Sequence, residues 1–118
     1  MTGIPPVLAG CRILVLGVAY KRDIDDVRES PALDIIHLLR QRGSHVTYSD
    51  PHIPALRVDN GTELCAENLE PAIAAADAVV IITDHTSFDY ERVVERAQVI
   101  VDTRNALKHF KKASIIRI

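Results

Sequence analysis

Hydrophobic and polar positions alternate along this chain in blocks whose lengths and periods predict strands and helices in turn. RILVLGV (12–18) is an unbroken apolar run with β-branched members, ended by Gly17. It predicts a strand buried on both faces. Ser30-Pro31 then marks a helix start. Ser30 can cap, and Pro31 suits the first helical position, where a missing N–H needs no partner. Ala32, Ile35, Ile36 and Leu39 follow at i, i+3, i+4 and i+7, with Asp34, His37, Arg40 and Gln41 on the other side. Gly43 fits the left-handed stop, and Arg40 and Arg42 complement the negative end of the helix dipole.

HVTYSD (45–50) alternates and ends at Asp50-Pro51, a strand and a turn. Residues 51–67 read as irregular, with Asn60-Gly61 as a tight turn. Helices are predicted over 67–76 and 88–97, and a fully buried strand over 78–84. A strand with its exit loop follows over 98–105, and an edge strand over 113–118. Strands alternating with helices predict an α/β fold: a three-layer, Rossmann-like, doubly wound and mostly parallel sheet with crossovers on both faces. Residues 1–9 read as a lead-in and 10–118 as one domain.

Composition narrows the function. The 118 residues suffice for one modest core, and 47% apolar content is ordinary for a soluble globular chain. Sixteen acids against fourteen Lys and Arg leave a net charge of -2, so no broad basic field points to nucleic acid or an anionic membrane. No apolar stretch approaches the roughly 20 residues of a membrane span. MTGIPPVLAG lacks the basic start and apolar core of a signal peptide, so a cytoplasmic protein is expected. Cys11 and Cys65 have neither CxxC spacing nor the count of a disulfide framework, and are expected to be reduced and inert.

In a sheet of this kind, ligands bind outside the carboxyl ends of the strands, near the point where strand order reverses. Polar groups gather at those ends: Lys21, Arg22, Asp23 and Arg28 after the first strand, Asp50 and His52 after the second, Thr83 to Thr86 after the third, and Asp102 to Asn105 after the fourth. Asp50 stands where dinucleotide folds carry the acid that reads a ribose, but the role needs a glycine loop; a turn former is expected instead. His85 is the histidine placed to face the site, although a local hydrogen bond is the commoner role. The five histidines lack paired ligand spacing, which argues against a metal site.

The first of these loops, GVAYKRDIDDVRES (17–30), is the most charged. A dinucleotide fingerprint needs several glycines for close backbone approach to a pyrophosphate, and here only Gly17 is present. Composition leaves two readings open. Lys21 and Arg28 can contact phosphates through their side chains, or the basic residues simply neutralise Asp23, Asp25, Asp26 and Glu29 on a solvated surface.

Four blocks in order, GVAYKRDIDDVRESPALDIIHLLRQRG, VTYSDPHIP, VVIITDHTSFDY and VIVDTRNA, resemble the C-terminal, UDP-binding domain of the UDP-glucose/GDP-mannose dehydrogenase family. The resemblance runs from about residue 10 to 118, and the RESPAL and TDH forms are most similar to the bacterial UDP-N-acetylhexosamine branch, such as UDP-N-acetylmannosamine dehydrogenases. It implies an NAD-dependent enzyme that oxidises the C6 alcohol of a sugar nucleotide to a carboxylate. It further implies an N-terminal Rossmann domain with the NAD fingerprint and catalytic cysteine, a central dimerisation region, and a homo-oligomer in the full-length enzyme. On the family pattern, Tyr20 and Lys21 match the aromatic-lysine pair that contacts the UDP-sugar. Arg104 matches a substrate-reaching arginine, and Arg28 an arginine that reaches NAD held mainly by the other domain.

Neither Cys11 nor Cys65 lies in a segment that matches the family's cysteine motif, and no NAD fingerprint occurs. The chain therefore reads as one domain of a larger enzyme, inactive alone, with acids in the first loop that position or neutralise rather than react. A receiver-like signalling domain is the alternative, with Asp25 and Asp26 as the paired acids and Asp84 and Lys108 as stand-ins for phosphoacceptor and lysine. The two acids lie about eight residues past the strand, too far for its tip without a long excursion. A stand-alone regulatory nucleotide-binding module is a third reading.

Overall fold

In the computed structural model, the described residues are 10–19, 21–23, 27, 30–58, 61–112 and 114–117. They form β1 (Arg12–Leu16), α1 (Pro31–Gln41), β2 (His45–Ser49), β3 (Ala55–Val58), β4 (Thr62–Cys65), α2 (Leu69–Ala75), β5 (Ala78–Ile81), α3 (Tyr90–Arg96), β6 (Ile100–Asp102) and β7 (Ile115–Arg117). Five strands pair in the order β2-β1-β5-β6-β7, and every pairing is parallel. This is the expected Rossmann-like α/β sheet.

Two apolar clusters lie on opposite faces of it, because successive residues of β1 point opposite ways. Leu14 and Leu16 pack with Ile73 of α2 and Val93 and Val94 of α3. Val15 packs with Ala32 and Ile36 of α1. The helices thus cover both faces, giving three layers. Burial of Ile36 contributes about 2 kcal/mol.

The best-signalled helix forms as its sequence predicts. The Ser30 hydroxyl accepts the Ala32 N–H at 3.2 Å, Pro31 opens the first turn, and Gly43 takes φ 90° beyond the last. β1 stops at Leu16, two residues short of the apolar run, since Gly17 has φ 81° and turns the chain out of the ladder.

Two expectations are corrected. Residues 51–67 are not irregular: β3 and β4 form an antiparallel hairpin, with Leu56 and Val58 buried in the α1 cluster. The Asn60-Gly61 signal belongs to this hairpin's connection, but strands of only four residues are too short for alternation to reveal. Asn60 lies outside the described residues.

Nor is β5 fully buried. Val15, Val80, Val101 and Ile116 stand in register as one row across β1, β5, β6 and β7. Exposure rises along it, from 0% at Val15 to half-buried Val80 and Val101 and 50% at Ile116. α1 packs at the β1–β2 end of that face, so the far end is uncovered by the described residues.

Candidate functional site

Strand order reverses at β1. The chain crosses from β1 to β2 on one side, then returns past β1 to β5 on the other. The loops leaving β1, β2 and β5 therefore meet at the carboxyl edge, where open α/β sheets bind ligands. Gly17 sits in this crevice. Its N–H donates to Ser49 O at 3.0 Å, and a Cβ here would be driven into the Thr83 backbone carbonyl. The single glycine of the loop thus permits close packing of one loop on another rather than approach to a ligand.

The Asp50 carboxylate fills the centre. Its Oδ2 accepts the backbone N–H groups of Val18 and Ala19 at 2.8 and 3.2 Å, and its Oδ1 accepts that of His52 at 2.8 Å. His85 Nε2 lies 2.8 Å from Oδ2, and both side chains are fully buried. On the far side of the ring, Nδ1 accepts the Asp23 N–H at 2.8 Å. An accepting Nδ1 places the ring proton on Nε2, where it donates to Asp50. His85 is thus a buried bridge between distant loops rather than a locally bonded loop histidine, and its ring lies within the site. Asp50 does form the expected turn, through His52, and does more besides.

Further bonds complete the staple. Ala19 O accepts from the Thr83 hydroxyl at 2.6 Å and the Ser30 hydroxyl at 3.4 Å. The Asp23 carboxylate accepts the Thr86 N–H at 2.9 Å and the Thr86 hydroxyl at 3.0 and 3.1 Å. The Thr86 backbone N–H is the main cause that holds the Asp23 carboxyl below its ordinary 3.8; desolvation opposes it, and the Thr86 hydroxyl adds a smaller lowering. Asp23 takes φ 60°, a left-handed conformation that Asp tolerates better than most residues. Arg22 donates from Nε to Asp84 O at 3.1 Å and from Nη2 to Asp84 Oδ2 at 2.5 Å. The bond to Asp84 raises the guanidinium above its already high range. Tyr90 donates its hydroxyl to His85 O at 2.7 Å, and burial together with the Asp84 charge pushes that phenol upward.

Asp23, Asp50 and Asp84 of this edge are thus turned onto donors of the protein. Asp102 follows the rule, accepting the N–H groups of Arg104, Ala106 and Leu107 at 3.0, 3.1 and 2.9 Å. The positioning role expected of the acids holds for Asp23; Asp25, Asp26 and Glu29 lie outside the described residues.

Of the residues singled out for ligands, Lys21 is exposed and lies in sequence between the anchored Ala19 and Arg22. Arg104 is exposed on the same edge, its Nε donating to Ile82 O at 2.8 Å. Tyr20 and Arg28 lie outside the described residues. Sequence reasoning missed Thr83, Thr86 and the Asp50–His85 pair as supports. Their only signal is placement at strand ends.

Asp23, His52 and His85 also offer ligand atoms within 4.8 Å of one another, a cluster that sequence spacing did not suggest. Both ring nitrogens of His85 are engaged in hydrogen bonds, and the His52 ring packs on it at 4.6 Å between centroids. Cys11 is half-buried and Cys65 exposed, and neither forms a disulfide among the described residues. A cleft of about 320 Å³ lined by Asp50, Pro51, Asn68 and Phe88 borders the staple. A larger one, about 580 Å³, lies beside Arg12, His45 and α2, away from it. No helix among the described residues is long and apolar enough to cross a membrane.

Comparison with known proteins bears on the fold and the family. Residues 14–109 match the model of the UDP-glucose/GDP-mannose dehydrogenase family, UDP binding domain. The chain is 40% identical over 97 residues to an NDP-N-acetyl-D-galactosaminuronic acid dehydrogenase of Ralstonia solanacearum, covering 78% of this chain and 22% of that protein. It is 35% identical over 127 residues to a UDP-glucose 6-dehydrogenase of Rhizobium meliloti, covering 93% of this chain and 28% of that one. Among solved structures, a UDP-D-ManNAc dehydrogenase from Pyrococcus horikoshii superposes with a TM-score of 0.73 at 33% identity, over 93% of this chain and 26% of that one. The chain spans about a quarter of the length of the relatives it matches. Matched over most of its length by that model, the chain belongs to the UDP-glucose/GDP-mannose dehydrogenase family, as its UDP-binding domain.

Proposed function

We propose that this domain holds the nucleotide half of a UDP-sugar within a larger NAD-dependent dehydrogenase that oxidises the sugar C6 alcohol to a carboxylate. Its relatives bear the names of dehydrogenases of UDP-N-acetyl-D-mannosamine, NDP-N-acetyl-D-galactosaminuronic acid and UDP-glucose. The observation that carries the reading is the placement of Lys21 and Arg104 on one sheet edge, beside acids already engaged by donors of the protein. Lys21 and Arg104 complement the diphosphate, and Tyr20 offers a flat contact for a ring. By the family resemblance, Arg28 is the residue assigned to contact NAD held mainly by another domain.

NAD itself does not fit this domain's own switch point. The N–H groups of Val18 and Ala19, which would face a pyrophosphate, are engaged by Asp50, and the space beside Gly17 is closed by Thr83. The hydride acceptor therefore belongs to a domain outside this chain, as does the catalytic cysteine. The receiver reading loses its basis, since the chain belongs to the dehydrogenase family and Asp84, its stand-in phosphoacceptor, is held by Arg22.

Isothermal titration of the 118-residue chain with UDP tests the reading. Saturable binding is expected, weakened about tenfold or more by Lys21→Ala or Arg104→Ala. Absence of binding, or variants that bind as well as the parent, would overturn it. The chain alone should form no NADH from NAD and a UDP-sugar; NADH formation would refute the assignment of catalysis to other domains.

A further inference from the structure

The Asp50–His85 pair lies outside the roles assigned above, yet it is the most deeply buried polar pair of the site. We propose that Asp50 and His85 are positioning residues for UDP binding: a built-in anion and a bridging imidazole that together pre-set the segment carrying Lys21. The inference rests on the reading of Lys21 as a substrate contact.

Two halves of the geometry carry it. The Asp50 carboxylate binds the N–H groups of Val18 and Ala19 from within, where a nucleotide-binding loop would hold a phosphate. A second anion at those N–H groups would meet the carboxylate at hydrogen-bond distance, so the substrate diphosphate is confined to the outer side of the loop, where Lys21 is exposed. On the other side of Lys21, the His85 ring accepts the Asp23 N–H, and the Thr86 and Asp84 contacts hold Asp23 and Arg22. The same ring donates to Asp50. One carboxylate-imidazole unit thus ties the chain before Lys21 to the chain after it. A loop ordered before the ligand arrives loses less entropy on binding, which raises affinity without a direct contact.

His85 variants separate the two bonds. His85→Asn keeps an acceptor near Nδ1 for the Asp23 N–H and loses the donor to Asp50; His85→Gln keeps a donor near Nε2 and loses the acceptor. Asp50→Asn replaces one carboxylate oxygen by a donor among four donors. UDP affinity would be measured by titration calorimetry in each 118-residue variant, alone and combined with Lys21→Ala. Amide hydrogen exchange would be followed at Val18, Ala19 and Asp23.

Expected are a five- to tenfold loss of UDP affinity in Asp50→Asn and His85→Gln, with at least tenfold faster exchange at Val18 and Ala19 in the first and at Asp23 in the second, β1 and β5 amides unchanged. The effect of Lys21→Ala should shrink to under twofold in either background, because the pair acts through that segment. Folded variants that bind UDP within twofold of the parent, while Lys21→Ala alone is impaired, overturn the positioning role and leave the reading of Lys21 standing. A parent in which Lys21→Ala has no effect overturns both. Nitrogen chemical shifts of His85 in the unmodified chain give a readout independent of variant folding: an Nε2–H tautomer is required, and an Nδ1–H tautomer refutes the bridge.

Discussion

His85 Nε2 lies 2.8 Å from Asp50 Oδ2, with both side chains closed off from solvent, and the carboxylate also collects three backbone N–H groups. Removing the acid leaves all four donors without an acceptor. Such a loss costs far more than an exposed hydrogen bond, because buried donors cannot turn to water. Asp50→Ala is expected to destabilise the fold by about 3–5 kcal/mol, measured by urea unfolding. A loss under about 1 kcal/mol would mean that water reaches the site.

Gly17 tests the crevice in another way. Its φ of 81° already disfavours a side chain, and the atom that an alanine Cβ would strike is the backbone carbonyl of Thr83, which cannot swing aside like a flexible side chain. Gly17→Ala is expected to cost about 3 kcal/mol or to prevent folding. Thermal melting against Gly61→Ala provides the comparison, since Gly61 has a positive φ of 111° but open space around its missing Cβ.

Alkaline stability reports on Tyr48. Its hydroxyl donates to Ile53 O at 2.9 Å, and burial, followed by the Asp50 charge, pushes the phenol up to about 12 from its ordinary 10.0. The folded value exceeds the unfolded one, so the contribution is complete below about pH 10 and is lost as pH rises toward 12. A loss on the order of 3 kcal/mol across that window is expected from this residue. Tyr48→Phe should remove that part of the slope while costing about 1 kcal/mol at neutral pH for the lost bond. An unchanged alkaline slope would refute the assignment.

Acid stability reports on Asp23 with the opposite sign. Its folded carboxyl lies below the unfolded value of 3.8, so the contribution is present above that pH and is lost as pH falls through the folded value. The Thr86 backbone N–H is the largest cause and the hydroxyl a smaller one. Thr86→Val should therefore leave most of the depression in place, read by NMR titration of Asp23. Full return to 3.8 would place the effect on the hydroxyl instead.

The sequence by itself determined what depends on near neighbours. The cap, proline and glycine that bound α1 act within a turn of where they stand, and the apolar runs of β1 and β5 need no partner to be read as strands. The motifs after β1 and β6 marked Tyr20, Lys21, Arg28 and Arg104, and the family they resemble is the family to which the chain belongs. Tertiary structure decided the rest. The β3–β4 hairpin is held by packing of Leu56 and Val58 under α1, not by strong local preference. Whether Val80 and Ile116 are covered depends on how far one helix reaches across a sheet. Asp50, His85 and Asp23 read separately as a turn former, a loop histidine and a surface acid. They become one staple only because the strand order β2-β1-β5 brings three exit loops together, and a polar group buried there must find its partner within the protein.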